Sequence, residues 1–328
     1  MGSSVHVSAL LAREPDAATG VSFARFMELA LFHPETGYYA RDRPRVGRGR
    51  AADYYTATSL GTVFGELVVA AAVQLLGAHD VSAHTFVEIG AEPEAGVLRG
   101  VPHPFAAHEV RRLGDDLRLP ARAVVFSNEL FDAQPCHRLL GRGGLWRELG
   151  VAWCDGRLVE RELPALSPEV AAMAARLPRA APEGYHLDLP LRSVTLLHQL
   201  ARQSWGGLFL ACDYGRSWQE LTEALPAGSA RAFHQHRQSN DLLARPGEQD
   251  LTCDVCWDWL TESLGQHGFA RPRVESQEAF FARQAGGALA AMMAAEAGRF
   301  SARKQAVLHL LHPAHLGQKF QVLHARRD

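Results

Sequence analysis

Apolar and polar positions along this chain change period several times, and each change predicts an element. In VSFARFMELALFHPETGYY the apolar positions Phe26, Leu29 and Ala30 recur at helical spacing. Ser22 is placed to cap that helix, and Pro34 and Gly37 end it. LGTVFGELVVAAAVQLLGA predicts a second helix, apolar on most sides and therefore buried. Three short apolar runs of strand length come next: HTFVEIG, RAVVFSNELFDAQP through Val124, Val125 and Phe126, and GGLFLACDYG. LWRELGVAWCDGRLVERELP alternates and carries Asp155-Gly156 at its centre, the strongest hairpin signal in the chain. Helices are predicted in SPEVAAMAARLP, LRSVTLLHQLARQSW, DVCWDWLTESLGQHGF and between Gly286 and Leu311, and QKFQVLHARR reads as a closing strand. Strands alternating with helices predict an α/β fold: a mostly parallel sheet with helices on both faces.

The three buried strands end alike, in polar residues followed by a turn: Glu88-Ile89-Gly90, Asn128-Glu129 and Asp213-Tyr214-Gly215. Ligands of open α/β sheets bind outside the carboxyl ends of the strands, so one shared crevice is expected there. In SNELFDAQP, Glu129 and Asp132 stand three apart. A turn of helix after the strand would put both carboxylates on one side. Two readings stay open for them: a carboxylate pair in a site, or Asn128 and Asp132 capping a helix while Glu129 bonds to backbone. Tyr38-Tyr39 and Tyr54-Tyr55 are equally two-sided, either lining a pocket or anchoring loops through their polar tips.

Composition narrows the class. With 328 residues, 47% of them hydrophobic, the chain can bury a sizeable core. A formal net charge of -2 gives no global basic field for nucleic acid, although RDRPRVGRGR is a local basic stretch. Five scattered cysteines argue for a reducing compartment, and no apolar run reaches the roughly 18 residues that span a bilayer. The first residues lack the pattern of a signal peptide. A cytoplasmic protein is expected, and heavy Ala, Arg and Gly usage suggests a bacterial source. Cys253 and Cys256 form a CxxC with no second pair, which reads as buried small side chains at a helix start rather than zinc ligands. His309, His312 and His315 are read as unrelated residues because Pro313 breaks the register between them. A metal role for His234 and His236 has nothing further to support it, and no metal is expected.

Taken in order, FMELALFHPETGYY, DYYTATSLGTVFGEL, FVEIG, FSNELFDAQPCHRLL, WRELGV, ACDYG, DLTCDVCWDWL, SQEAFF and LLHPAHLGQKFQVL resemble the MidA-like class I S-adenosylmethionine-dependent methyltransferases. These are relatives of the mitochondrial complex I assembly-factor protein arginine methyltransferase. The resemblance implies a Rossmann-like fold, with an N-terminal helical and loop extension over residues 1–66. A methyltransferase-like α/β domain would cover 67–328, with a hairpin and helical insertion around 145–205. It implies S-adenosyl-L-methionine as cofactor and a protein arginine side chain, or an assembly partner, as the partner. Glu129 and Asp132 would be the catalytic pair holding a guanidinium. Glu88, Gly90, Glu109 and Asn128 would face the cofactor, and Tyr38, Tyr39, Asp53, Thr56 and Glu66 the substrate.

The chain departs from that family in GAEPEAG. Glu92 stands where a second glycine is expected, and the segment from Gly96 to His108 is too short for a full helix plus a strand. A carboxylate there would face the cofactor's own carboxylate. The departure predicts weakened or absent cofactor binding. It raises the alternative of a non-catalytic binding or assembly factor that kept the fold.

Overall fold

The computed structural model of the chain describes residues 7–14, 16, 19–40, 57–77, 80–91 and 96–328. Two compact units form, each assembled from separate stretches of chain. One comprises residues 55–130, 196–215 and 257–328, and the other residues 1–54, 131–195 and 216–256. Where the sequence suggested a sequential break at residue 66, the chain instead leaves the first unit after Leu130 and returns to it twice.

The unit containing residues 55–130 is built on a six-stranded sheet among its described residues. In chain order the strands are β1 (Thr85–Ile89), β2 (Ala107–Arg111), β3 (Arg122–Asn128), β4 (Gly206–Asp213), β5 (Ala270–Ser276) and β6 (Gln321–Arg327). Their spatial order is β5-β6-β4-β3-β1-β2. Pairings from β2 through β1 and β3 to β4 are parallel, and those of β6 with β4 and with β5 are antiparallel. β6 therefore runs against the other described strands, and the sheet is mostly parallel, as the alternation of elements predicted.

The near-continuous apolar runs of β3 and β4 are what a sheet covered on both faces requires. On one face Phe86, Val124, Phe126, Leu208, Leu210, Cys212 and Val322 share a core with helices Val63–Leu76, Gln277–Gln284 and Ala302–Leu311. On the other, Val87, Val125, Phe209, Ala211 and Leu323 are equally buried, and helix Trp257–Gln266 packs along β5 and β6. Parallel neighbours need a crossover, ordinarily a helix. Between β1 and β2 the described residues hold no helix, only a turn at 97–100. The short segment that departs from the family thus keeps the strand, with no helix among its described residues. The turn lies directly on helix Val63–Leu76: a Cβ on Gly65 would fall 2.0 Å from the Val97 carbonyl oxygen.

The other unit carries a five-stranded antiparallel sheet among its described residues. Leu145–Cys154 pairs with Val21–Ser22, His137–Arg142 and Arg157–Glu162, and His137–Arg142 pairs with His186–Leu189. The hairpin expected at Asp155-Gly156 forms, with Asp155 at φ 49° and Gly156 at φ 77°, the left-handed pair a two-residue turn demands. Helix Phe23–Phe32 also forms as read, capped by Ser22 Oγ accepting from the Arg25 N–H at 3.2 Å. It buries Phe23, Phe26, Met27 and Leu29 in a core shared with Tyr38, Val151 and Leu251. Its sheet holds buried charges that the alternation did not reveal. Asp188 is buried and accepts from Arg138 Nη1 at 3.0 Å and from the N–H groups of Ser229 and Ala230 at 2.6 and 2.8 Å.

Candidate functional site

Because β1, β3 and β4 are parallel neighbours, their carboxyl ends lie along one edge of the sheet. The register aligns Ile89 with Ser127, and Asn128 with Cys212. Glu88-Ile89-Gly90, Asn128-Glu129 and Asp213-Tyr214 therefore come together at that edge, as the three similar strand ends predicted. The helix turn expected after β3 does not form; residues 129–136 are bends, turns and coil. The reading that put Glu129 and Asp132 on one side of a helix is corrected accordingly. Asp132 belongs to the other unit, where it is buried and its carbonyl accepts from the Cys253 N–H at 2.9 Å.

Glu129 is the most distinctive residue of the edge. Its φ of 51° lies in the left-handed region, which a non-glycine residue adopts at a cost of order 1–3 kcal/mol. Neighbouring bonds hold it there. The Glu129 N–H donates to the Cys212 carbonyl at 2.9 Å, and the Leu130 N–H donates to Asp213 Oδ2 at 3.2 Å. Asp213, fully buried, also accepts the Tyr214 N–H on Oδ1 at 3.0 Å, so one carboxylate ties together the loops leaving β3 and β4. The Glu129 carboxylate is oriented from two sides: Asn128 Nδ2 donates to Oε1 at 3.0 Å, and the Tyr214 hydroxyl donates to Oε2 at 2.6 Å. Burial first, then the charges of Asp213 and Glu129, pushes the Cys212 thiol far above its usual range, so Cys212 stays neutral. Asn128 Oδ1 is a buried acceptor with no partner among the described residues.

The other expected cofactor residues have identifiable local duties. Glu88 is buried; it accepts the Val97 N–H at 2.8 Å and lies 3.5 Å from His108 Nε2. Its carboxylate secures the turn at 97–100. Gly90 has φ 83°, and a Cβ there would meet Leu130 Cδ1 at 2.7 Å, so both backbone and packing call for glycine. Glu109 sits opposite Val87 inside β2, two residues short of the strand end, and pairs with Arg111 at 2.5 Å. The end of β2 carries Arg111 itself, whose carbonyl accepts the Gly90 N–H at 2.8 Å. Glu92 lies outside the described residues.

Glu66, in the first turn of its helix, is clamped by Arg303. Nη1 donates to Oε1 at 2.8 Å and Nη2 to Oε2, while Thr62 Oγ1 donates to Oε1 at 2.7 Å. These bonds, Arg303 first, hold its carboxyl below the usual value of 4.5. A depressed folded-state value means the pair stabilises the fold fully above the unfolded value and loses that contribution as pH falls through the folded one. Arg303→Leu should therefore cost about 0.5–1 kcal/mol at about pH 7 and progressively less as pH falls below the usual carboxyl value of 4.5, read from urea melts.

In the other unit Tyr38 is fully buried in the core, and Tyr39 donates its hydroxyl to Asp250 Oδ1 at 2.9 Å while stacking on Phe32 at 5.5 Å. Both behave as anchoring aromatics. Asp53 and Thr56 lie outside the described residues, as do Tyr54 and Tyr55. Cys253 and Cys256 are buried just before helix Trp257–Gln266, as expected. The three C-terminal histidines are not unrelated: His309 stacks on His315 at 4.4 Å, and His312 lies 5.1 Å from His315. Pro313 ends the helix, and the turn after it carries His315 back. Among the described residues no group of three or more His, Cys, Asp or Glu side chains could hold a metal. No described helix is long and apolar enough to cross a membrane. Sequence reasoning named Tyr214 only as part of a strand end and gave it no role, although its position directly after a strand-end acid was a usable signal. It also passed over His108 and Arg111, which sit in a mixed polar stretch with no periodicity.

A mostly parallel sheet with one reversed strand, helices on both faces and polar strand ends on one edge defines the Rossmann-like class I methyltransferase fold. The comparisons agree and go further. Residues 107–274 match the family described as "Putative S-adenosyl-L-methionine-dependent methyltransferase", and the chain belongs to it. A solved COG1565 superfamily member from Burkholderia thailandensis, bound to S-adenosylhomocysteine, superposes with a TM-score of 0.84 at 25% identity, covering 98% of this chain and 92% of that one. Among curated relatives, the mitochondrial protein arginine methyltransferase NDUFAF7 of Xenopus tropicalis is 29% identical over 142 residues, 43% of this chain and 31% of the relative. The Drosophila melanogaster homologue is 27% identical over 296 residues, 72% of this chain and 64% of the relative. The chain thus spans about a third of the frog relative's length and just under two thirds of the fly relative's.

Proposed function

We propose that this chain is an S-adenosylmethionine-dependent methyltransferase whose substrate is an arginine side chain of a protein. The observation that carries the reading is Glu129, held in a left-handed conformation at the end of β3 with its carboxylate oriented by Asn128 and Tyr214. A carboxylate fixed in this way suits a guanidinium, which it can orient through two parallel charge-assisted bonds. The names of the curated relatives point to the same side chain.

The strand ends also suit the cofactor. Asn128 Oδ1 is a buried acceptor awaiting a donor, which the ammonium of an amino-acid moiety would supply. Asn128 and the Gly90 turn would hold that end of the cofactor. Bound S-adenosylmethionine supplies the methyl group and leaves as S-adenosylhomocysteine. The protein's part is alignment and charge. Glu129 would orient the guanidinium so that one nitrogen lone pair faces the methyl carbon, and would stabilise the positive charge as the new bond forms. The proton that nitrogen sheds passes to Glu129 or to water.

The test is incubation of the purified chain with methyl-labelled S-adenosylmethionine and arginine-containing peptides, followed by amino-acid analysis. Label recovered as methylarginine is the expected result. Label recovered only in another side chain, or none transferred, overturns the reading.

A further inference from the structure

We infer that Tyr214 is a positioning residue for substrate recognition: its hydroxyl fixes the Glu129 carboxylate in the orientation that receives a guanidinium. The inference rests on the role proposed for Glu129 and extends it to a residue on a different strand end.

Three observations carry it. The Tyr214 hydroxyl donates to Glu129 Oε2 at 2.6 Å, while Asn128 Nδ2 donates to the other oxygen, Oε1, at 3.0 Å. With a donor on each oxygen, the plane of the carboxylate is set before any substrate arrives. The tyrosine is itself immobilised. Its ring lies against Phe320 at 4.4 Å, its N–H is held by Asp213 Oδ1, and Gly215 just beyond it donates to Gln321 Oε1 at 3.0 Å. Finally, Asp213 bonds the N–H groups of both Leu130 and Tyr214, so the loops bearing Glu129 and Tyr214 are fixed by the same buried group. Pre-orientation of this kind matters because a loosely held carboxylate would lose rotamer freedom on binding and weaken the complex.

A hydroxyl donating to a carboxylate also favours its ionised form. Asp213 and Cys212 on β4 lie close by as well. Burial and the two neighbouring carboxylates keep the Cys212 thiol neutral. Tyr214→Phe leaves Asp213 and Cys212 in place, so the difference between parent and variant reports the tyrosine.

The experiment compares Tyr214→Phe, which keeps the ring on Phe320, with the parent chain, with Glu129→Gln and with Tyr185→Phe, whose hydroxyl donates to the Leu221 carbonyl, as an unrelated tyrosine deletion. Carbon-13 NMR of glutamate-labelled protein follows the Glu129 carboxyl through a pH titration, the Glu129→Gln spectrum supplying the assignment. In Tyr214→Phe the midpoint should rise by about one unit, a tenfold change of the order expected for one bond to a charged group. Tyr185→Phe should leave it in place. On an arginine peptide, Tyr214→Phe should raise KM roughly tenfold and move the acid limb of kcat/KM upward by the same interval, with S-adenosylhomocysteine affinity unchanged. An unmoved carboxyl midpoint overturns the inference whatever the activity. Loss of activity in Glu129→Gln with Tyr214→Phe at parental KM overturns it while the function stands. Parental activity in both variants removes the arginine reading itself.

Discussion

Glu129→Gln is expected to lower kcat/KM for arginine methylation by about 100-fold, or about 3 kcal/mol of transition-state stabilisation, with little change in the melting temperature. The amide preserves the volume of the side chain and meets the same left-handed backbone, since Gln and Glu pay a similar cost at φ 51°. The backbone bonds to Cys212 and Asp213 are untouched. What disappears is the negative charge facing the guanidinium. One of its two acceptors is also replaced by a donor, so a bidentate contact becomes a single neutral one. Steady-state kinetics beside a thermal melt decide the matter. A variant within a few fold of the parent would remove Glu129 from substrate recognition.

The largest stability effect is expected elsewhere. Asp188→Ala should destabilise the unit containing residues 131–195 by about 3–5 kcal/mol. The carboxylate lies buried in the antiparallel sheet, with Arg138 Nη1 at 3.0 Å and the N–H groups of Ser229 and Ala230 at 2.6 and 2.8 Å. Truncation leaves a nearly buried guanidinium and two backbone donors without this acceptor. Urea unfolding followed by far-UV dichroism gives the number, and a loss under about 1 kcal/mol would mean that water or a rearranged partner replaces the carboxylate. Asp188→Asn should fall in between, since it keeps the shape and one acceptor.

Much of this fold could be read from periodicity. The doubly buried strands β3 and β4, the hairpin at Asp155-Gly156 and the helix capped by Ser22 all formed where their patterns indicated. Strand β2 was missed for a physical reason. AHEVR lies at the sheet edge, is largely exposed or half-buried, and so carries neither an apolar run nor a clean alternation. Strands His137–Arg142 and His186–Leu189 were missed because Arg138 and Asp188 break their apolar pattern with charges that find each other only in the folded sheet. The candidate site was legible as three similar strand ends, since parallel neighbours must end together. The side-chain roles were not. Glu129 was read beside Asp132 on a helix turn that does not exist, and its actual neighbours, Tyr214 and Asp213, lie more than eighty positions away in sequence. Contacts of that separation leave no periodic trace.

The proposed methyl transfer requires that this sheet edge bind the cofactor although the described residues after β1 hold no helix. Calorimetric titration of the purified chain with S-adenosylhomocysteine measures that directly. Saturable one-to-one binding in roughly the micromolar range, about −8 kcal/mol, is the predicted result, weakened at least roughly tenfold by Asn128→Leu. No heat of binding at millimolar ligand would contradict the account.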